Sequence, residues 1–167
     1  IKNSQLLNLL EKSLFKNKFF RKKIFSKKLN NLRNYDLIIN TEYSNIITKK
    51  YFSNVWIIAP ENNQSGKSHS ITINKSIAVK KIKNKEFVVS GTPVDCVILG
   101  TKKILNKSST PYLLLSGIND GVNMGLDSYY SGTISAAREG CMNGIKSIAL
   151  SIEKNNYKKN WDTVNLY

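Results

Sequence analysis

The sequence predicts an α/β protein built on a doubly wound, mostly parallel sheet of Rossmann-like kind, and three observations carry that expectation. Short apolar runs, VWIIAP (55–60), FVVS (87–90), YLLLS (112–116) and SIALSI (147–152), are of the kind that buried parallel strands require. Between them lie segments with helix punctuation, so that strand, helix and strand alternate through the second half of the chain. Polar or glycine-rich loops follow VWIIAP and YLLLS, where such sheets bind ligands beyond the carboxyl ends of their strands.

Taken in order, residues 1–32 carry leucines and phenylalanines at helical spacing among lysines and asparagines, which predicts an amphipathic helix or helix pair. DLIIN (36–40) reads as a short buried strand, and TEYSNIITKKYF (41–52) as a turn and a helix. VWIIAP is stopped by Pro60 and followed by the polar loop ENNQSGKS (61–68). That loop ends like a phosphate-binding P-loop, but Glu61 stands where the first glycine of that motif is needed, so a nucleoside triphosphatase is rejected. HSITIN (69–74) alternates as a strand should, and SIAVKKI (76–82) is expected to pair with it as a hairpin or to lie beside it. His69 is the only histidine; a dyad with Ser65, Ser68 or Ser70 is conceivable on composition, but no nucleophile-elbow marker accompanies it.

GTPVDCVILG (91–100) opens with a full helix start: Thr92 at the N-cap, Pro93 at the first position and Asp95 at the third, a capping box with aspartate in place of glutamate. Its helix should run to about Leu105. After YLLLS comes a loop punctuated by Gly117, Gly121, Gly125 and Gly132. Its glycines let backbone N–H groups approach an oxyanion, and Asn119, Asp120, Asn123 and Asp127 offer oxygens to a hard cation. An ordinary glycine-containing connection would have the same composition. Ser131-Gly132-Thr133 opens a helix ending at Gly144, and a helix N-terminus favours phosphate.

The chain has 167 residues and a formal charge of +15. The lysines are scattered among asparagines, without an arginine cluster or an aromatic platform, so the charge reads as a solvated surface that favours anionic substrates. A specific nucleic-acid partner is not expected; nonspecific binding of nucleic acid through the basic surface is the competing reading. Cys96 and Cys141, both in predicted helices and without metal-ligand spacing, are expected to be buried free thiols, which suits a cytoplasmic location. No apolar run approaches the roughly 18 residues of a membrane span, and no signal-peptide pattern is present, so no membrane partner is expected.

VWIIAPENNQSGKSHSIT, SGTPVDCVIL and LLLSGINDGVNMGLDSYYSGTISAAREG together resemble the SurE survival-protein nucleotidases, in the family's order and near its spacing, over about residues 55–152. The resemblance implies a metal-dependent phosphatase, a 5′-nucleotidase hydrolysing nucleoside monophosphates, with Mg2+ or Mn2+ as cofactor. It places Ser65 and Asn119 on metal-ligand positions, and Ser131, Gly132 and Thr133 on the segment that holds the substrate phosphate, with Asn123 in the same glycine loop. It also implies a homodimer or homotetramer.

The family opens with an NDDG motif whose adjacent aspartates bind the metal and include the proposed catalytic group. No two aspartates are adjacent here; Asn40 matches the asparagine, Thr41 and Glu42 stand at the aspartate positions, and Tyr43 replaces the glycine. Glu42 is thus the nearest candidate for that role, with its carboxylate one methylene further out than an aspartate's. The stretch NYDLIINTEYSNIITKKYF is also similar to the tail of dephospho-coenzyme A kinases. Residues 1–50 are accordingly expected to be an atypical, helical segment joined from another gene, ahead of a truncated nucleotidase domain over 51–167. The family's carboxyl-terminal extension is missing, and the alternative function is an inactive relative that keeps the fold.

Overall fold

The computed structural model describes residues 36–39, 54–105 and 110–153. Asp36–Ile39 (β1), Val55–Pro60 (β2), Glu86–Val89 (β4), Leu113–Asp120 (β5) and Lys146–Ile152 (β6) are joined by Val79–Lys83 (β3) in one sheet of order β3-β4-β2-β1-β5-β6. All neighbours are parallel except β3 and β4. β1 stands between β2 and β5, so the chain winds first to one side of it and later to the other. That is a topological switch point, where sheets of this kind bind ligands beyond the carboxyl ends of their strands.

β1 lies upstream of the boundary expected near residue 50, so the α/β sheet does not begin there. The remaining expectations for residues 1–35 and 40–53, including the helix over 41–52, lie outside the described residues.

The two longer described helices pack on one face of the sheet. Pro93–Leu99 (α1) continues into a wider π-type turn, Gly100–Ile104, closed by the Leu105 N–H donating to the Gly100 carbonyl at 2.9 Å. Asp127–Tyr130 (α2) is a single turn, and Gly132–Met142 (α3) follows directly. Ile58, Val89, Cys96, Val97, Leu105, Leu114, Ala136 and Ile145 form the core between helices and sheet. Val55, Ile57 and Leu115 make a smaller cluster of their own. Ile57 and Ile58, like Leu114 and Leu115, divide between the two clusters because successive strand side chains point to opposite faces. No helix among the described residues is long and apolar enough to cross a membrane.

Three expectations are corrected. HSITIN is not a strand: Ile71 and Ile73 are 48% and 65% exposed, and the Thr72 N–H goes to a side chain instead of a ladder. The strand partner of β4 is VKKIK, whose side chains are all exposed on an edge that its lysines protect from further pairing. SIALSI is the other edge strand among the described residues and is largely exposed, since of these only β5 flanks it.

Cys141 is exposed whereas Cys96 is buried. Gly140 takes the buried side of the last turn of α3 and leaves Cys141 and Met142 facing outward. Burial, with the charge of neighbouring Asp95, pushes the Cys96 thiol far above its ordinary pKa. A maleimide should therefore label one thiol of the native protein rapidly, at Cys141, and a second only in denaturant; peptide mapping of the labelled protein checks this.

Candidate functional site

The glycine loop begins inside β5. The pairing of β5 with β6 shifts register between Ser116 and Asn119, a bulge with one extra residue on β5. Gly117 sits there with φ of +111°, and a Cβ on it would run into the Leu150 carbonyl. The bulge re-aims the end of the strand. Asn119 then folds back on its own turn, its Nδ2 donating to the Gly121 carbonyl at 2.7 Å and the Gly121 N–H to the Asn119 carbonyl at 3.1 Å. With the amide nitrogen held, Oδ1 is the atom Asn119 can offer to a ligand.

The second part is the start of α3. Ser131 is a true N-cap: its hydroxyl accepts from the Ile134 N–H at 3.1 Å and its carbonyl from the Ser135 N–H at 3.0 Å. The cap leaves the N–H groups of Gly132 and Thr133, at the positive end of the helix, for another acceptor. Gly132 is buried, and a Cβ built on it would lie 2.9 Å from Pro93 Cγ and 3.6 Å from the Gln64 carbonyl oxygen. The first residues of α1 and α3 thus meet each other and the loop after β2 at one point.

The third part is that loop. Ser65 is exposed, and its N–H and Oγ both donate to Asn63 Oδ1, at 2.9 and 2.8 Å. Its hydroxyl proton is directed into the loop, which leaves the oxygen lone pairs for a cation. Ser68 ties the loop to the turn before α3, donating from its N–H to the Tyr130 carbonyl at 3.0 Å and from Oγ to the Tyr129 carbonyl at 2.7 Å. His69 Nε2 lies 2.9 Å from Glu139 Oε2 on α3, while Asn143 donates to Glu139 Oε1 at 2.9 Å. Among the described residues His69 has no serine partner, so a serine–histidine dyad is replaced by a structural pair.

Asp95, 3% exposed, completes the capping box of α1 and also accepts from Thr72. Burial alone would raise its carboxyl, but the hydrogen bonds from Thr72 and Thr92 outweigh it and hold the pKa below the ordinary 3.8. A carboxylate stabilised in the folded state contributes stability that is complete above its unfolded pKa and is lost as pH falls through the folded one. Denaturant midpoints should accordingly hold steady above about pH 5 and drop below about pH 4, and the drop should shrink in Asp95→Asn.

Ser65, Ser131, Gly132 and Thr133 are therefore brought into one neighbourhood by the contact of Gln64 with Gly132. Asn119 shares the same carboxyl edge of the sheet without a direct bond to them. Asn123 is turned the other way, its Nδ2 donating to Ser151 Oγ at 2.6 Å. Asn40, Thr41 and Glu42 lie outside the described residues, and among the described residues no three of His, Cys, Asp and Glu cluster as metal ligands. The oxygens of Ser65 and Asn119 fit a hard divalent ion in type, but both are neutral and cover only part of its coordination. Asp95 is committed elsewhere: it is buried at the cap of α1, and both of its oxygens accept hydrogen bonds within the fold.

A family profile described as Survival protein SurE matches residues 37–167. The chain belongs to the SurE family. It is 49% identical over 105 residues to the 5′-nucleotidase SurE of Mesorhizobium japonicum, covering 63% of this chain and 41% of that protein. The 5′-nucleotidase SurE of Brucella suis is 44% identical over 107 residues, again 41% of the relative's length. The chain thus spans about two fifths of these curated relatives. The crystal structure of the SurE protein from Aquifex aeolicus superposes with a TM-score of 0.71 at 36% identity, over 79% of this chain and 56% of that one. The match to a SurE profile from residue 37 agrees with β1 being part of the sheet. Sequence reading missed two features of this SurE site: the packing of Pro93 on Gly132 and the bonds from Thr72 to Asp95. The proline of SGTP and the glycine of SGT were the visible signals, but a helix start and a phosphate segment do not by themselves say that the two touch.

Proposed function

We propose that this chain is a phosphomonoester hydrolase of the 5′-nucleotidase type that acts on nucleoside monophosphates with a divalent cation, Mg2+ or Mn2+. Ser65 and Asn119 would hold the cation in part, and the helix start at Ser131, Gly132 and Thr133 would hold the phosphate. Asn123 would line the far side of the same loop. The observation that carries this reading is the convergence at Gly132, where the Ser65 loop and the starts of α1 and α3 come together. That the curated relatives are 5′-nucleotidases by name supports the choice of substrate class.

In this reading the N–H groups of Gly132 and Thr133 and the dipole of α3 orient the phosphate and stabilise charge on its oxygens. The cation, when bound, supplies Lewis-acid polarisation and a more acidic water. Ser131 fixes the helix start through its cap, and the Ser68 bonds to Tyr129 and Tyr130 fix the distance between that start and the Ser65 loop. Glu42 is the carboxylate best placed in the sequence to offset the charge of the cation. The +15 charge of the chain would draw in anionic substrates. A cytoplasmic location and assembly into dimers or tetramers go with this reading.

A second reading has its own observation: no two aspartates are adjacent anywhere in the sequence. A relative without the charged pair would bind phosphate and turn nothing over. Release of inorganic phosphate from AMP, GMP, CMP and UMP, with Mn2+ or Mg2+ and after EDTA, separates the two. Metal-dependent release supports the hydrolase; no release from any nucleotide, with phosphate binding retained, supports the second.

A further inference from the structure

The segment from Ser65 to Thr72 lies beside the start of α3 with little apolar burial to hold it. Ile71 is 48% exposed and Ser65 is exposed as well, so polar bonds are its restraint. Three residues after Ser65, Ser68 is fastened to the carbonyls of Tyr129 and Tyr130, next to the cap of α3. At the other end Thr72 gives Asp95 two bonds, Thr72 N–H to Oδ1 at 3.1 Å and Thr72 Oγ1 to Oδ2 at 2.6 Å. Thr92 Oγ1 adds a bond to the Ser70 carbonyl at 2.7 Å.

A capping box needs only Thr92 and Asp95, and both of its reciprocal bonds are present without Thr72. The Thr72 and Ser70 bonds are surplus to what α1 requires, and each reaches back more than twenty residues to one short stretch. Because Asp95 is ionised and buried, these are charge-assisted bonds of the stronger kind. We infer that Thr72 and Asp95 are positioning residues, which use the helix cap as an anchor to hold Ser65 at the start of α3. This rests on the proposed role of Ser65 as an oxygen ligand of the cation. Release at Thr72 leaves Ser68 as the main remaining hold on the strap, and a displacement of about 1 Å at a reacting centre can cost on the order of a hundredfold.

The test compares Thr72→Val, Thr72→Ser and Ser65→Ala in the full chain. Thr72→Val deletes the 2.6 Å bond at nearly constant shape, and Thr72→Ser keeps the hydroxyl. Mn2+ affinity is read from the electron paramagnetic resonance signal of the free ion, alongside thermal unfolding and the kinetics of phosphate release from AMP. Thr72→Val should weaken Mn2+ binding by about tenfold, the scale seen when groups supporting a metal ligand are lost. It should lower kcat more than it changes KM, while Thr72→Ser restores both. The proposal is overturned if Thr72→Val binds Mn2+ as the parent does while Ser65→Ala does not, or if Thr72→Ser fails to rescue. Unchanged Mn2+ affinity in Ser65→Ala overturns the role of Ser65 itself and the proposal with it. Should Thr72→Val misfold, Thr72→Ala takes its place and is judged by the same outcomes.

Discussion

Asn119→Ala should remove metal-dependent phosphate release from nucleoside monophosphates, by at least about a hundredfold, the scale on which loss of a single aimed polar group at a reacting centre is felt. The fold should survive, because the substitution deletes one bond, from Nδ2 to the Gly121 carbonyl, at a half-buried position. A net loss of about 1 kcal/mol is expected for a hydrogen bond of this kind. The backbone bulge that aims the residue is set by Gly117 and does not depend on the amide. Colorimetric phosphate assays, with circular dichroism as the control on folding, check this. An Asn119→Ala protein as active as the parent would remove the metal-ligand role from the residue.

Gly132→Val should damage stability and phosphate binding together. The added Cβ would lie 2.9 Å from Pro93 Cγ, well inside contact distance, and the neighbour is a rigid ring at the first position of α1 rather than a flexible chain end. Overpacking of this kind costs about 1–3 kcal/mol, or a lowering of the melting temperature by several degrees in a domain of this size. The displacement falls where α1, α3 and the Gln64 carbonyl meet, so the N–H groups of Gly132 and Thr133 move with it. Titration with inorganic phosphate followed by 31P NMR, beside thermal melts of both proteins, separates the two losses. Gly132→Ala should show the same pattern more mildly, and a variant that melts normally would mean that Pro93 yields without cost.

Much of the architecture was legible because it is written in local chemistry. VWIIAP and YLLLS are too apolar for surface strands, and Thr92, Pro93 and Asp95 spell a helix start whose bonds all form. The helix start at Ser131-Gly132-Thr133 was equally local, and the structure adds that the Ser131 hydroxyl accepts from the Ile134 N–H as its cap. What failed depended on distant partners. HSITIN alternates like a strand, but the inward residue is Thr72 and the isoleucines face out, because Asp95 competes for the Thr72 N–H more effectively than a neighbouring strand would. SIALSI has the composition of a central strand and sits at an edge, and strand order is not encoded in any one strand. The exposure of Cys141 follows from which side of α3 meets Leu114, and the helix's own spacing did not settle that. Asn123 shows the limit for the site: its place in a glycine loop was readable, its attachment to Ser151 was not.

The central position of β1 also bears on how the chain reaches its folded form. Leu37 pairs with Trp56 nearby and with Leu114 far along the chain. The second pairing closes a long loop, and the entropy of that closure is spent before the contacts that reward it exist. During synthesis β1, β2 and β4 leave the ribosome before β5, so β1 has one open edge until β5 arrives. An exposed parallel edge is a template for the wrong partner. Refolding of this chain should therefore be slow and sensitive to protein concentration, limited by the docking of β5 onto β1.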